Sequence, residues 1–274
     1  MSLSNKIDFA VVFSVKNANP NGDPLNGNRP RTTFEGLGEV SDVCLKRKMR
    51  DRLMDAGESI FVQSDAKRKD EFTTLNARAE SVLKGIKDKK GFAETACKTW
   101  FDVRAFGQLF AFKKKSGESD ADAVSCGVRG PVTVQSAFSL SPVDVSSLQI
   151  TKSVSNVGDG STKSSDTMGM KYRVDSAIYC FFGSMSPQLA EKTGFSDEDA
   201  QKIKAILPKL FENDASSSRP DGSMRVLKVV WWDHGCKNGK CSSAKVHGSL
   251  KVNPDGSIEV QKVLDIQPEI IEGF

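Results

Sequence analysis

Residues 7–15 are apolar at every position except Asp8 and Ser14, which predicts a strand covered on at least one face. Val43, Leu45, Met49, Leu53 and Ala56 then recur at helical spacing from Ser41 to Ala56. Ser41 is a suitable N-cap, Asp42 suits the helix dipole, and Gly57 ends the segment. A second helical stripe, Leu75, Ala79, Val82, Leu83 and Ile86, places Arg78, Lys84 and Lys87 on the opposite face. Residues 87–91 read as a turn, 92–100 as a short helix, 109–112 as a strand and 113–123 as a polar loop. Val132, Val134, Phe138 and Leu140 alternate with polar residues and predict strands. Residues 148–154 and 168–174 read as the arms of a protruding β-hairpin, with a Gly/Ser/Thr-rich tip at 156–166. Ala177 to Phe182 is a further core strand. Ser186-Pro187 opens a short helix, and Ser196 to Asp199 opens another with a capping-box pattern, bent at Pro208. Met224 to Trp232 reads as the last central strand, and 244–264 as two strands about Asn253 to Gly256. The core order is strand, helix, strands, helix, strand. That is the βαββαβ plan of an α+β, ferredoxin-like domain carrying insertions.

The most distinctive stretch lies between the first strand and the first helix. Residues 17–32 hold five Asn, three Pro, two Gly, one Asp and two Arg. Asn and Gly tolerate φ > 0 and Pro fixes φ, so the segment is neither a helix nor a central strand. It predicts a long, stiff, polar loop that is either a solvated surface loop or a binding element. Its amides and its Arg29-Pro30-Arg31 cluster suit a phosphodiester backbone or bases. The helix after it carries Lys46, Arg47, Lys48 and Arg50, with Lys46 and Arg50 on one face, so loop and helix could meet one polyanion. In the hairpin, Met168 and Met170 stand near Lys152, Lys163, Lys171 and Arg173, a combination that suits wedging between bases and holding phosphates. Packing against a neighbouring subunit is the other reading of the same residues.

Charge does not decide between these readings. The 274 residues carry a net charge of +4, and clustering matters more than so small a sum. The N-terminus lacks a signal-peptide pattern, and no apolar run approaches the roughly 20 residues of a membrane span, so a cytoplasmic protein with no membrane partner is expected. Cys44, Cys97 and Cys180 read as buried free thiols. Cys236 and Cys241, with His234 and His247 nearby, could close a zinc tetrahedron, but the Asn238-Gly239 pair more simply predicts a β-hairpin joining the two cysteines. With two histidines in the chain, and no nucleophile elbow, phosphate loop or dinucleotide fingerprint, no catalytic residue, metal or cofactor is assigned. Asp8, Asp23, Asp102 and Asp144 would bind Mg²⁺ only by converging, and nothing in the sequence requires that. Asp102 and Arg104 read as a local ion pair or an RNA contact.

Residues 17–31, together with Val40 to Arg50, Asp102 to Gly107, Gly127 to Val132 and Gln149 to Ser153, resemble a known family. It is the crRNA-binding backbone subunit of the type I-C CRISPR surveillance complex, Cascade, within the RAMP superfamily. The resemblance runs from about residue 5 to 265, and departs from the pattern at Lys152, where relatives often carry arginine. It implies an RRM-like palm with a helical finger insertion and a β-hairpin thumb. The divisions would be palm at 1–57, finger at 58–100, palm strands at 101–145, thumb at 146–174 and the rest of the palm at 175–274. It implies a non-catalytic protein that lines up head-to-tail along the CRISPR RNA (crRNA) beside other Cascade subunits, leaving the guide free to pair with target DNA. By the same resemblance Asn17, Asn19, Asn21, Arg29, Arg31, Lys46, Lys48 and Arg50 would contact the RNA backbone, with Arg104 and Arg129 as further contacts. Lys152, Ser153, Met168, Met170 and Lys171 would serve the thumb. Two other classes remain open: a superfamily endoribonuclease that processes crRNA precursors, and a protein scaffold without nucleic acid.

Overall fold

The computed structural model describes residues 1–86, 88–111, 125–153 and 168–274. Strand β1 (Ile7–Ala18) is followed by two short strands, β2 (Gly22–Asp23) and β3 (Arg29–Pro30), that pair around a 3-10 turn. Strand β4 (Leu37–Val40) leads into helix α1 (Asp42–Asp55). Helices α2 (Leu75–Leu83), α3 (Lys89–Thr99) and α4 (Phe101–Phe106) precede the pair β5 (Gly107–Ala111) and β6 (Ser125–Arg129). Next come β7 (Val132–Val134), β8 (Ala137–Pro142), β9 (Val145–Thr151) and the 18-residue β10 (Met168–Met185). Helices α5 (Pro187–Thr193) and α6 (Asp197–Ile206) lead to β11 (Met224–Asp233). The chain closes with α7 (Ser243–His247), β12 (Leu250–Val252), β13 (Ile258–Val260) and β14 (Pro268–Glu272).

The main sheet is antiparallel throughout, in the order β14-β11-β1-β10-β8-β4, with β7 and β9 also pairing to β10. Central placement explains why β1 is apolar on both faces. Phe9, Val11, Phe13 and Val15 join Leu45, Met49 and Leu53 of α1 and Ala200 and Ile203 of α6 in the larger core. On the other face Ala10 packs with Val230, Trp232, Val246 and Ile266, beneath the C-terminal elements. Gly183 is fixed by packing: a Cβ there would stand 2.2 Å from the Phe9 ring.

A second core joins Phe61, Ala79, Leu83, Phe92, Cys97 and Trp100 to Val103, Phe110 and Cys126. The helical unit expected at 58–100 therefore shares its interior with α4, β5 and β6. Three local expectations are corrected. Arg78 lies inside, its guanidinium held by Asp70 at 2.7 Å and by the Phe61 carbonyl at 2.8 Å. Residues 101–106 are helical. Residues 234–242 contain a turn at Gly239, with its N–H 3.3 Å from the Cys236 carbonyl, but lead from β11 into α7 and form no hairpin. The chain instead dips under the sheet, where the Lys6 N–H donates to Cys236 O at 3.0 Å.

Two glycines lock the second unit together. A Cβ on Gly107 (φ +81°) would meet Val128 O at 2.4 Å, and one on Gly130 would meet Ala105 O at 2.3 Å. Thus the stretches 102–107 and 127–132 interlock through backbone that no larger residue would admit.

The expected hairpin is present as a ladder from Val145↔Val174 to Thr151↔Met168. Its second arm and the core strand read separately at 177–182 are one continuous strand, β10. The tip at 156–166, Val154, Lys163, Lys87, Phe112 and the loop 113–123 lie outside the described residues.

Candidate nucleic-acid interface

The polar stretch is folded backbone. Asn17 (φ 52°) and Asn28 (φ 60°) occupy the left-handed region that Asn tolerates best after Gly. Asn19 is buried and donates its amide to Asn28 O at 2.7 Å, while its N–H reaches Ser218 O at 2.9 Å. Asn21 accepts at 2.9 Å from both the N–H and the hydroxyl of Ser41, tying the loop to the N-cap of α1. Arg31 faces Asp23 at 3.4 Å. Arg29 is exposed, with its guanidinium carbon 4.3 Å from the centroid of the Tyr172 ring.

The cations of α1 are engaged internally. Lys46 bonds Asp42 at 2.9 Å. Arg47 bridges Asp51 (2.7 Å) and Asp214 (3.0 Å). Lys48 is buried against Asp214, over the Phe211 ring. Burial draws the Lys48 ammonium below its ordinary pKa despite the pull of Asp214. Burial also opposes ionisation of Asp214, yet Lys48 and Arg47 hold its carboxyl below the usual range. Arg50 donates to Asp102 at 2.9 Å, and Asp102 also accepts from the N–H groups of Phe61 (2.7 Å) and Val62 (3.0 Å). Arg104 forks onto Asp199 at 3.0 and 2.8 Å, within the capping box of α6. Lys48 and Asn19, expected among the RNA contacts, have their side chains in the interior. Lys46 and Arg50, expected on one face, point to different carboxylates. Asp102 and Arg104 do form ion pairs, though not with each other.

The hairpin is the opposite case. Residues directly across an antiparallel ladder share a face. One face carries Thr151, Met168, Gln149, Met170, Ser147 and Tyr172, and Gln149 Nε2 lies 3.5 Å from Met168 Sδ. The other carries Ile150, Leu148, Lys171 and Arg173, with Ile150 3.6 Å from where a Gly169 Cβ would stand. Met168 and Met170 are 59% and 51% exposed, and Lys152 and Ser153 end the first arm in solvent. Arg129 is exposed at the end of β6. Among the described residues no ion pair holds Arg29, Arg129, Lys152 or Lys171. The structure thus brings Arg29, Met168 and Met170 to one side of the hairpin. Sequence reading passed over Tyr172, although its alternation with Met168 and Met170 was a visible period-two signal.

The two histidines lie under the sheet. His234 Nδ1 accepts from the Lys240 N–H at 3.0 Å, so Nε2 carries the proton and donates to Asp8 at 2.8 Å. His247 Nε2 stands 3.2 Å from the other Asp8 oxygen. Burial alone would raise the Asp8 pKa, but His247, Ser243, His234 and Lys6 hold it at about 2. Cys236 and Cys241 are free thiols, and among the described residues no group of three or more His, Cys, Asp or Glu is arranged to hold a metal ion. No helix among them is long and apolar enough to cross a membrane.

These features define a mixed α/β protein built on a large antiparallel sheet, with exposed methionines, and cations unpaired among the described residues, on a hairpin that extends from it. The chain belongs to the family of the CRISPR-associated protein Cas7, which matches residues 5–270. A relative from Haloferax volcanii, described as CRISPR-associated protein Cas7, is 27% identical over 288 residues, spanning 99% of this chain and 82% of its own length. A chain of a solved "CRISPR RNA-guided surveillance complex, pre-nicking" is similar with a TM-score of 0.47 and 17% identity, over 83% of this chain and 75% of that one. A chain of a "CRISPR RNA-guided surveillance complex" gives 0.44 and 16%, over 83% and 68%.

Proposed function

We propose that this chain is a non-catalytic, cytoplasmic RNA-binding subunit that lines up head-to-tail along a crRNA as the backbone of a type I-C surveillance complex. It presents guide segments to target DNA beside the other subunits. The observation that carries the reading is β10. In a member of the Cas7 family, this strand runs from the middle of the sheet into a hairpin with exposed Met168 and Met170 and with Lys152 and Lys171 unpaired among the described residues. Cations without carboxylate partners suit phosphates, and soft apolar side chains suit bases, so contacts would be indifferent to guide sequence. The strand order β11-β1-β10-β8, with helices in both crossovers, supports the ferredoxin-like palm, and the ladder 145–151/168–174 supports the thumb. Both histidines face Asp8, His234 fully buried and His247 largely so, which leaves neither as an exposed base for the endoribonuclease reading.

The test is binding to fluorescent single-stranded RNAs of several lengths and unrelated sequences across a salt series. Cooperative, sequence-indifferent binding that weakens steeply with salt is expected. Binding confined to particular sequences, or cleavage of a hairpin RNA by the protein alone, would overturn the reading. So would failure to retain RNA even when co-expressed with its partners and a CRISPR array.

A further inference from the structure

Arg29 and Tyr172 are far apart in sequence and meet at the foot of the hairpin. Their contact is unlike the other arginine contacts described above. Arg47, Arg50, Arg78 and Arg104 all have carboxylate partners, and two of those lie over rings as well. Among the described residues Arg29 has the ring and no carboxylate partner, and its side chain is exposed. A guanidinium backed by an aromatic ring is held in place, while its outer side and its donors stay open. The loop enforces the position. Asn28 and Gly27 take left-handed backbone, and a side chain at Gly22 would strike the Asn28 amide, leaving the β2–β3 turn little freedom. Up the same hairpin face stand Met170 and Gln149, the first soft and apolar, the second able to donate to and accept from a base edge.

We propose that Arg29, backed by Tyr172, is a stacking site for one unpaired nucleobase of a bound single strand, flanked by Met170 and Gln149. Unpaired bases stack on aromatic rings and on arginine planes alike, and every base has the required face. The site is therefore tolerant of sequence while still requiring a base. This rests on the RNA-binding reading and adds to it, because Arg29 meets a base where the family resemblance implied a backbone contact, and Tyr172 becomes part of the site.

The experiment compares wild type with Arg29→Lys, Tyr172→Leu and Tyr172→Phe. Each is titrated with a single-stranded RNA and with a matched strand carrying abasic residues at every position. Arg29→Lys keeps the charge and loses the plane; Tyr172→Leu removes the backing; Tyr172→Phe retains it. The expected result is about a tenfold loss of affinity for the normal strand with Arg29→Lys and Tyr172→Leu. Tyr172→Phe should restore binding, the salt slope should stay constant, and the deficit should vanish on the abasic strand. With 2-aminopurine in place of single bases, the quenching seen with wild type should be reduced in the same two variants. Equal losses on normal and abasic strands, or unaltered 2-aminopurine quenching, would overturn the stacking site and leave RNA binding standing. Absence of wild-type binding to both strands, with no RNA retained on co-expression with its partners and a CRISPR array, would overturn both.

Discussion

Helix α1 and the β9–β10 hairpin are both rich in cations, and the structure uses them in opposite ways. In α1, Lys46, Arg47, Lys48 and Arg50 reach Asp42, Asp51, Asp214 and Asp102, so the basic face is largely neutralised and joins α1 to the loops and helices beside it. In the hairpin, Lys152 and Lys171 have no carboxylate partner among the described residues, and the apolar side chains beside them face solvent. A run of Lys and Arg is thus not by itself an anion site. What separates the two regions is whether acidic residues elsewhere in the chain fold back onto the charge.

Four expected outcomes would break or sharpen that contrast. The largest concerns Asp102. Asp102→Ala strands Arg50, the buried N–H of Phe61 and the part-buried N–H of Val62, and should cost about 3–5 kcal/mol in urea unfolding. A loss below 1 kcal/mol would mean that the α1 pairs are not structural. Asp8 comes next. Its folded pKa of about 2 lies below the ordinary 3.8, so its contribution is present above pH 4 and lost as pH falls towards 2. About 2 kcal/mol should disappear over that window, and Asp8→Asn should flatten the profile. Lys48→Met should cost about 1–2 kcal/mol, because Asp214 keeps Arg47 and Arg219 as partners. RNA affinity should not change; a fall in affinity without a fall in stability would make Lys48 a ligand after all. The smallest effect on stability, within about 0.5 kcal/mol, is expected for Lys152→Ala combined with Lys171→Ala. That pair should nevertheless lower the salt slope of RNA binding by about 1.4, roughly 0.7 for each phosphate contact removed.

The elements with local signals were legible in the sequence. Ser41 caps α1 as expected, Ser196 and Asp199 form the capping box of α6, and Pro187 stands in the first turn of α5. The apolar run of β1 announced a central strand. Elements set by distant partners were not legible. Strand β4 follows Gly36, carries Gly38 and reads as loop, yet a side chain at Gly38 would strike the Tyr179 hydroxyl, so glycine there is imposed by a neighbour far along the chain. The hairpin arms were legible, but the Arg29–Tyr172 contact was not, because it depends on how a turn of three left-handed or tightly packed residues aims one side chain across the fold. Sign of charge is written in the sequence; its neutralisation by Asp214 or Asp102 is written only in the tertiary structure.

The continuity of β10 makes the hairpin a ruler that counts in twos. From Val174 to Met168 the ladder runs about 20 Å, and each pair of residues adds about 7 Å without turning a side chain over. Lengthening both arms by an even number of residues would change the reach and keep Met168, Met170 and Tyr172 on Arg29's side. Removing a single residue between Tyr172 and Val174 would leave the reach nearly as it was and send the two methionines to the face of Leu148 and Ile150. Reach and facing are therefore separable in this protein, and parity alone decides which surface the methionines meet.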